Sequence, residues 1–312
     1  MCIRSGRAMP RHLLSRAVQA ATLATSLLAG SAATAATPVM TVTQLNVYRD
    51  GTSADWLLGN SRWLADGFDN GNALVGPAYT GTTTAALYQL RGTDAGIDPA
   101  TLAWEADSAL HLDATHAALS TNALGQQGRS VRLVLGTSNA EWQQGFVQSR
   151  SFAASIRLSL DSLPGVGQSF GLRFTDGFSN NNDYAELSVF RDGQGTWLQL
   201  RKQDFALGSI TPIATVALAP VANAAQLVLS LAHGTPGGSL ISGSYNFADA
   251  SGALLSPSFT GLGSVLAFNG ENATRLELRA TAPVPEPASA LLLAGGGLLL
   301  AARRALRQRR MA

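Results

Sequence analysis

Apolar and polar residues alternate in short runs through the middle of the chain. The clearest runs cover residues 155–160, 169–174, 184–190, 196–202, 226–231, 239–247 and 274–280. About every second residue in these runs is apolar, which is the period of a strand with one buried face. Asp-Gly turn signals recur at 66–67, 176–177 and 192–193. The last pair separates two alternating runs and predicts a hairpin.

The element pattern indicates the fold class. No long helical period interrupts the alternating runs, and only residues 114–124 suggest a short helix. Many short strands separated by turns over about 245 residues predict an all-β, two-sheet sandwich. We expect this domain to span residues 36–280, followed by a Pro-rich linker at 281–287.

The charge of the chain is concentrated at its two ends. The overall charge is +2 and the pI is about 9.0. Nine arginines lie in the first 16 and the last ten residues, which leaves 13 basic against 20 acidic residues, a net charge of −7 for the middle. An acidic middle without a basic patch excludes nucleic acid as a partner. With 46% hydrophobic and only 13% charged residues, the composition is typical of an exported β-protein.

The N-terminus has the three parts of a secretory signal peptide, which we assign to residues 1–35. Arg4 to Arg16 form a positive region, residues 17–30 are apolar, and Ala33-Thr34-Ala35 is a cleavage site of the A-x-A type. The alternative is an uncleaved anchor helix, which the short apolar run and its small terminal residues disfavour. Export through the secretion machinery is therefore expected.

A second apolar run lies near the C-terminus, at residues 288–302. As a helix it is about 23 Å long, short of the roughly 30 Å hydrocarbon core, but flanking arginines and local thinning can make up the difference. We assign residues 288–312 to a transmembrane helix with a basic tail. The arginines of that tail predict a cytoplasmic C-terminus, and they are Arg303, Arg304, Arg307, Arg309 and Arg310.

Together with Val284-Pro285-Glu286-Pro287, this segment resembles the PEP-CTERM sorting signal of Gram-negative bacteria. The resemblance implies an exosortase, an integral-membrane cysteine transpeptidase, as partner. It also implies transient anchoring in the inner membrane, and then location at the cell surface or in an exopolysaccharide-rich extracellular matrix. The alternative is a plain C-terminal anchor that follows a Pro-rich linker.

Residues 151–249 resemble concanavalin A-like jelly-roll domains in their strand pattern. The resemblance implies a jelly-roll sandwich and raises the question of glycan chemistry. Asp176, Asp183 and Glu186 form the best carboxylate cluster. Jelly-roll glucanases carry three carboxylates as Glu-x-Asp-x-x-Glu on one strand, and this chain has only Glu186 in that pattern. We therefore expect no catalytic residues and no enzyme.

Other chemistry-bearing motifs favour structural explanations. A G-x-S-x-G match at residues 167–171 begins a strand, whereas a nucleophile elbow needs a helix after the serine. Residues 179–183 (SNNND) offer calcium ligands but are typical of a solvated turn. His111, His116 and His233 lack zinc-site spacing, and His111 and His116 are expected at surface or loop positions. Because the only cysteine is Cys2, a disulfide or thiolate site is excluded, and we expect no metal or cofactor.

One possible binding surface follows from strand alternation. If the leucines and valine of the two hairpin strands face the core, the intervening polar and aromatic residues share the opposite face. An aromatic side chain with hydrogen-bonding neighbours suits sugar rings, although an ordinary solvent face is the alternative. The candidate glycan-binding residues are Trp197, Tyr184, Glu186, Gln199 and Arg201.

The sequence thus predicts an exported cell-surface or matrix protein with a non-enzymatic, structural or weak glycan-binding role. The alternative is a glycan-active enzyme, a glycosidase or lyase, of jelly-roll fold.

Overall fold

The computed structural model describes residues 38–50, 61–80, 85–121, 127–135, 146–147, 150–176, 183–204, 207–219, 221–234, 240–266 and 273–284. Within these residues the chain forms eighteen strands and two short 3-10 helices, Pro99–Thr101 and Leu160–Ser162. The strands are β1 (Met40–Asp50), β2 (Ser61–Asp66), β3 (Val75–Ala78), β4 (Ala85–Arg91), β5 (Ala103–Ala106), β6 (Ala109–Leu112), β7 (Leu119–Thr121), β8 (Gln127–Leu135), β9 (Phe146–Val147), β10 (Phe152–Ser159), β11 (Ser169–Asp176), β12 (Tyr184–Arg191), β13 (Thr196–Asp204), β14 (Ser209–Ala217), β15 (Gln226–His233), β16 (Leu240–Ala248), β17 (Leu254–Leu266) and β18 (Ala273–Ala282).

The strands form two antiparallel sheets. The first sheet has the order β17-β16-β15-β10-β1-β6-β5, with β2 also paired to β1. The second has the order β14-β13-β12-β11-β18-β8-β4-β3, with β7 and β9 added on β8 and β18. The prediction of an all-β, two-sheet sandwich is confirmed.

The core between the sheets comes from the alternating runs. Leu172, Leu187, Leu200 and Leu278 of the second sheet are buried, as is Leu229 of the first. Burying one apolar face of each sheet is the main force that holds a sandwich together.

An aromatic cluster fixes the two sheets at one end of the core. Phe152 of β10 lies 4.9 Å from Phe174 of β11 between ring centroids, in an edge-to-face arrangement. Phe146 lies 5.2 Å from both rings. Such pairs stabilise beyond the area that they bury.

The structure differs from the sequence prediction in two elements, the short helix and the start of the linker. Residues 114–121 form a turn and strand β7 rather than a helix, because Leu119 to Thr121 pair with β8. Strand β18 continues to Ala282, two residues into the segment that we expected to be linker. The expected signal peptide and C-terminal apolar helix lie outside the described residues. Within the described ranges no helix is both long and apolar enough to cross a bilayer.

Candidate functional site

The hairpin predicted at Asp192-Gly193 joins β12 to β13. The pairing register runs unbroken from Arg191 opposite Thr196 to Tyr184 opposite Gln203. Asp192 organises the loop, since its Oδ1 accepts hydrogen bonds from the backbone N–H groups of Gln194 at 2.8 Å and Gly195 at 2.9 Å. The same oxygen accepts the indole N–H of Trp197 at 3.0 Å. The loop therefore needs no bulge, and the face assignment of both strands follows the alternation.

The outer face of the second sheet is the face turned away from the core, and it is polar but covered. Leu187 lies opposite Leu200 on the core side, as the alternation predicts. On the outer side, Tyr184 is only 4% exposed and Glu186 only 1%. Both side chains are therefore buried beneath this face, neither exposed to solvent nor open to a ligand.

Glu186 is surrounded by three arginines from three strands. Its Oε2 accepts hydrogen bonds from Arg173 of β11, through Nε at 2.9 Å and also through Nη2. Its Oε1 accepts from Nη2 of Arg201 at 2.5 Å. Arg279 of β18 donates from Nη1 to Oε2 at 3.4 Å. These charge-assisted contacts fix the carboxylate and occupy both of its oxygens.

Glu277 forms a second, adjoining centre. Its Oε1 accepts a hydrogen bond from Nε of Arg275 at 2.9 Å, and Nη1 of Arg132 lies 3.7 Å from the same oxygen. Arg173 reaches its Oε2 at 3.9 Å and so links the two glutamates. We call this set the arginine network, and it comprises Arg132, Arg173, Arg201, Arg275, Arg279, Glu186 and Glu277.

The arginine network sets the ionisation of its members. Burial alone would raise the pKa of Glu186, but the charges of Arg201 and Arg173 outweigh it and hold that pKa far below the usual range. The pKa of Glu277 is lowered in the same way, chiefly by Arg132 against the effect of burial. Burial, aided by the charge of Arg173, lowers the pKa of Arg279 to about 10. All three groups are therefore charged at neutral pH.

A cleft of about 490 Å³ opens on this face. We call it the outer cleft. Its walls come from β7, β8, residues 167–169 and the β12–β13 hairpin, with the end of β18. It is lined by Ser120, Gln127, Gly128, Arg129, Ser130, Gly167, Gln168, Ser169, Ser188, Phe190, Arg191, Asp192, Gln199, Arg201, Arg279, Thr281, Ala282 and Pro283.

The loop before β11 shapes one wall of the outer cleft. The buried Gln168 accepts the backbone N–H of Gly165 at 2.7 Å through its side chain. Gly167 has a φ of +80°, and a Cβ there would lie 3.2 Å from the ring of Pro283. A larger residue at this position is disfavoured by both backbone conformation and space.

The structure places the predicted glycan-binding residues in three positions: lining the outer cleft, beside it, and buried beneath the outer face. Gln199 and Arg201 line the outer cleft directly. Trp197 is not among the lining residues but lies beside them, bonded to Asp192. Glu186 lies beneath Arg201, and Tyr184 is stacked under the guanidinium of Arg173 at 3.5 Å from the ring centroid. Neither of these two buried side chains lines the cleft.

Phe190 and Arg279 are the most informative of the lining residues that sequence reasoning missed. Phe190 lies opposite Trp197 and lines the outer cleft, and extending the alternation of β12 by one step would have placed it on this face. Arg279 belongs to the run at residues 274–280, where Leu276 and Leu278 face the core and the intervening charges face outward. Arg279 pairs with Gly171 because β18 lies beside β11 in the sheet, and the sequence does not reveal that strand order.

The remaining motifs have structural roles. Ser169 of the G-x-S-x-G match begins β11. Its hydroxyl forms a 2.7 Å hydrogen bond with the hydroxyl of Thr281. His111 lies in a strand and stacks on Trp104, and the buried His233 stacks on Phe152. His111 is thus half-buried in a strand rather than in a loop, whereas His116 is exposed beside Asp113 as expected.

Calcium ligation by residues 179–183 is not tested, because 179–182 lie outside the described residues. Where the chain is described, no group of three or more His, Cys, Asp and Glu side chains is arranged to hold a metal ion.

Comparisons with known proteins add one specific result. A GH43_12 protein retrieved from the capybara gut metagenome has a similar solved structure, with a TM-score of 0.40 and 14% identity over 71% of this chain. The match spans 35% of that protein, about a third of its length. A search of curated proteins finds no match. The PEP-CTERM protein-sorting motif matches residues 283–310. The chain thus carries a PEP-CTERM sorting motif, which indicates export, transient membrane anchoring and processing by an exosortase.

Proposed function

We propose that this protein is a non-enzymatic β-sandwich that is sorted to the surface or extracellular matrix of a Gram-negative cell, where it binds glycan in the outer cleft. The observation that carries the binding role is the lining of that cleft. It combines hydroxyl, amide and guanidinium groups with the ring of Phe190.

This lining suits a sugar better than an apolar ligand. A pyranose has apolar faces that stack on aromatic rings, and hydroxyls that need both donors and acceptors. Ser188 and Gln199 are paired across β12 and β13 and supply hydroxyl and amide groups, and Phe190 is the neighbouring outer-face residue of β12. Trp197 extends the aromatic surface beside the cleft.

The carboxylates at and beneath the outer cleft favour binding over hydrolysis at this site. A glycosidase needs a carboxylic acid of raised pKa beside a second carboxylate. Glu186 and Glu277 have lowered pKa values and are occupied by arginines. The pKa of Asp192 at the cleft wall is also lowered, first by the indole N–H of Trp197 and then by backbone N–H groups. These three groups therefore stay ionised and are poor proton donors.

The binding role is tested with the full chain, purified in a mild detergent and screened on a glycan array. We expect binding to at least one glycan class and a several-fold loss of affinity in Phe190→Ala, since a stacked ring contributes about 1 kcal/mol. The same glycans are then incubated with the protein and assayed for new reducing ends or unsaturated ends. An array without signal contradicts the binding role, and turnover supports the alternative of a jelly-roll glycosidase or lyase.

The export pathway has its own test. In the cell-surface fraction, mass spectrometry is expected to recover peptides of the sandwich but neither residues 1–35 nor the arginine tail. An intact C-terminal peptide on the mature protein would contradict exosortase processing and indicate a plain anchor.

A further inference from the structure

The arginine network holds more positive than negative charge. Its five guanidinium groups face two carboxylates, so arginines outnumber carboxylates in this set. Both glutamates are at most 2% exposed in their side chains, and the arginines are between 0% and 23% exposed. Buried excess charge is costly unless a group of opposite sign compensates it.

Several guanidinium donors beside the outer cleft have no hydrogen-bond acceptor in the described part of the chain. The buried Nε atoms of Arg129, Arg201 and Arg279 have none among the residues that the structure describes. All three arginines line the outer cleft. Arg279 reaches the carboxylate of Glu186 only at 3.4 Å, and it is the most weakly paired of the three arginines around Glu186. Arg201 and Arg279 keep 23% and 19% of their side chains exposed, and a ligand in the cleft can reach these exposed guanidinium groups.

We propose that the outer cleft binds an acidic saccharide, whose anionic group lies against Arg201 and Arg279. This inference rests on the proposed function and names the ligand class of the same site. A carboxylate or sulfate oxygen accepts guanidinium N–H groups in a geometry that favours arginine.

The size and lining of the cleft indicate a saccharide rather than a small anion. A volume of about 490 Å³ holds much more than one carboxylate or sulfate ion. The remaining walls carry hydroxyl and amide groups, including Ser130, Ser169 and Gln199, that suit sugar hydroxyls. Because the middle of the chain carries a net charge of −7, general attraction to polyanions does not account for such binding.

The test compares four polymers on the detergent-purified full chain at one ionic strength: polygalacturonate, its methyl ester, sulfated dextran and dextran. Polygalacturonate and its ester share a backbone and differ in the carboxylate charge. We expect an acidic polymer to bind at least about tenfold more tightly than its neutral counterpart, since each anionic group gains charge-assisted hydrogen bonds. A preference for polygalacturonate identifies a carboxylate as the recognised group, and a preference for sulfated dextran identifies a sulfate.

Variants locate the anion site. Arg279→Gln is expected to weaken binding of the preferred acidic polymer about tenfold and to leave binding of its neutral counterpart nearly unchanged. Arg150→Gln removes the same charge at a residue that precedes β10 of the first sheet and does not line the cleft. It is expected to bind like the wild type. Thermal unfolding of each variant verifies the fold, and the polymer comparison on the wild type remains decisive if Arg279→Gln does not fold.

The outcomes separate the two proposals. Equal affinity for acidic and neutral polymers, lost in Phe190→Ala, overturns the anion site and leaves the glycan-binding role intact. Equal loss in Arg279→Gln and Arg150→Gln overturns the anion site in favour of diffuse electrostatics. Absence of binding to all four polymers counts against both proposals.

Discussion

The outer faces of the two sheets differ sharply, although both consist of the polar positions of alternating strands. Across the first sheet, one register row contains Asn46, Ser155, Ser230 and Ser244 on neighbouring strands. These side chains are short and uncharged. They cost little to hold near an apolar core, and they bring no charge to this row.

The corresponding row of the second sheet alternates in charge. Arg201, Glu186, Arg173 and Glu277 lie side by side on β13, β12, β11 and β18. Opposite charges on neighbouring strands attract, but their desolvation cancels much of that gain. A row of alternating buried charges therefore adds little net stability to the sheet. This difference makes the second outer face, rather than the first, the proposed site of recognition.

The largest expected difference between the faces is in stability. Glu186→Gln keeps the shape of the side chain but leaves three arginines around a neutral amide. We expect the free energy of unfolding to fall by about 3–5 kcal/mol, the usual cost of breaking a buried charge network. The first-sheet control Ser230→Ala removes a hydroxyl that has no partner among the described residues and is expected to change stability by less than about 0.5 kcal/mol.

Urea unfolding of both variants measures this difference. Equal losses, or a small loss in Glu186→Gln, would show that the arginine network does not depend on its central carboxylate.

Lowering the pH tests the same difference between the two outer faces. The pKa values of Glu186 and Glu277 are lower in the folded state than the ordinary value of about 4.3. Their contribution to the free energy of unfolding is therefore complete above that value. It is lost as the pH falls toward the folded-state pKa values. We expect the wild type to lose about 2 kcal/mol or more between pH 5 and pH 2 through these groups.

Glu186→Gln is expected to show a shallower loss of stability over the same pH range, because one of the two carboxylates is gone. Urea unfolding at several pH values gives both slopes, and identical slopes would contradict the assigned pKa shift.

A smaller effect is expected beside the cleft. Trp197→Ala should weaken glycan binding several-fold, about 1 kcal/mol, if the indole extends the stacking surface of Phe190. Trp197→Phe keeps a ring, removes the hydrogen bond to Asp192 and is expected to retain most of the affinity. Titration calorimetry of each variant measures the effect. Unchanged affinity in Trp197→Ala would confine recognition to the lining residues.

The smallest effect is expected from metal removal. Excess chelator should leave the midpoint of thermal unfolding unchanged within about 1 °C, since neither outer face presents a metal-binding cluster in its described residues. A large drop would instead indicate a calcium site at residues 179–183.

Alternation along single strands predicted much of the fold and only part of the site. It located the core leucines and the shared face of Gln199 and Arg201 correctly. It did not reveal that Glu186 is covered, because Arg279 comes from a strand 93 residues further along the chain. The partner order β12-β11-β18-β8 is a property of the whole sheet, and a local pattern carries no information on it.

The central claim is that recognition takes place on the outer face of the second sheet and not on that of the first. Hydrogen–deuterium exchange of the full chain, with and without the polymer that binds best among polygalacturonate, sulfated dextran and dextran, tests it most directly. We predict slower exchange in peptides covering residues 127–132, 165–171, 186–201 and 279–283, with no change in residues 152–159 and 226–233 of the first sheet. Protection on the first sheet, or none on the second with a polymer that binds, would contradict the account.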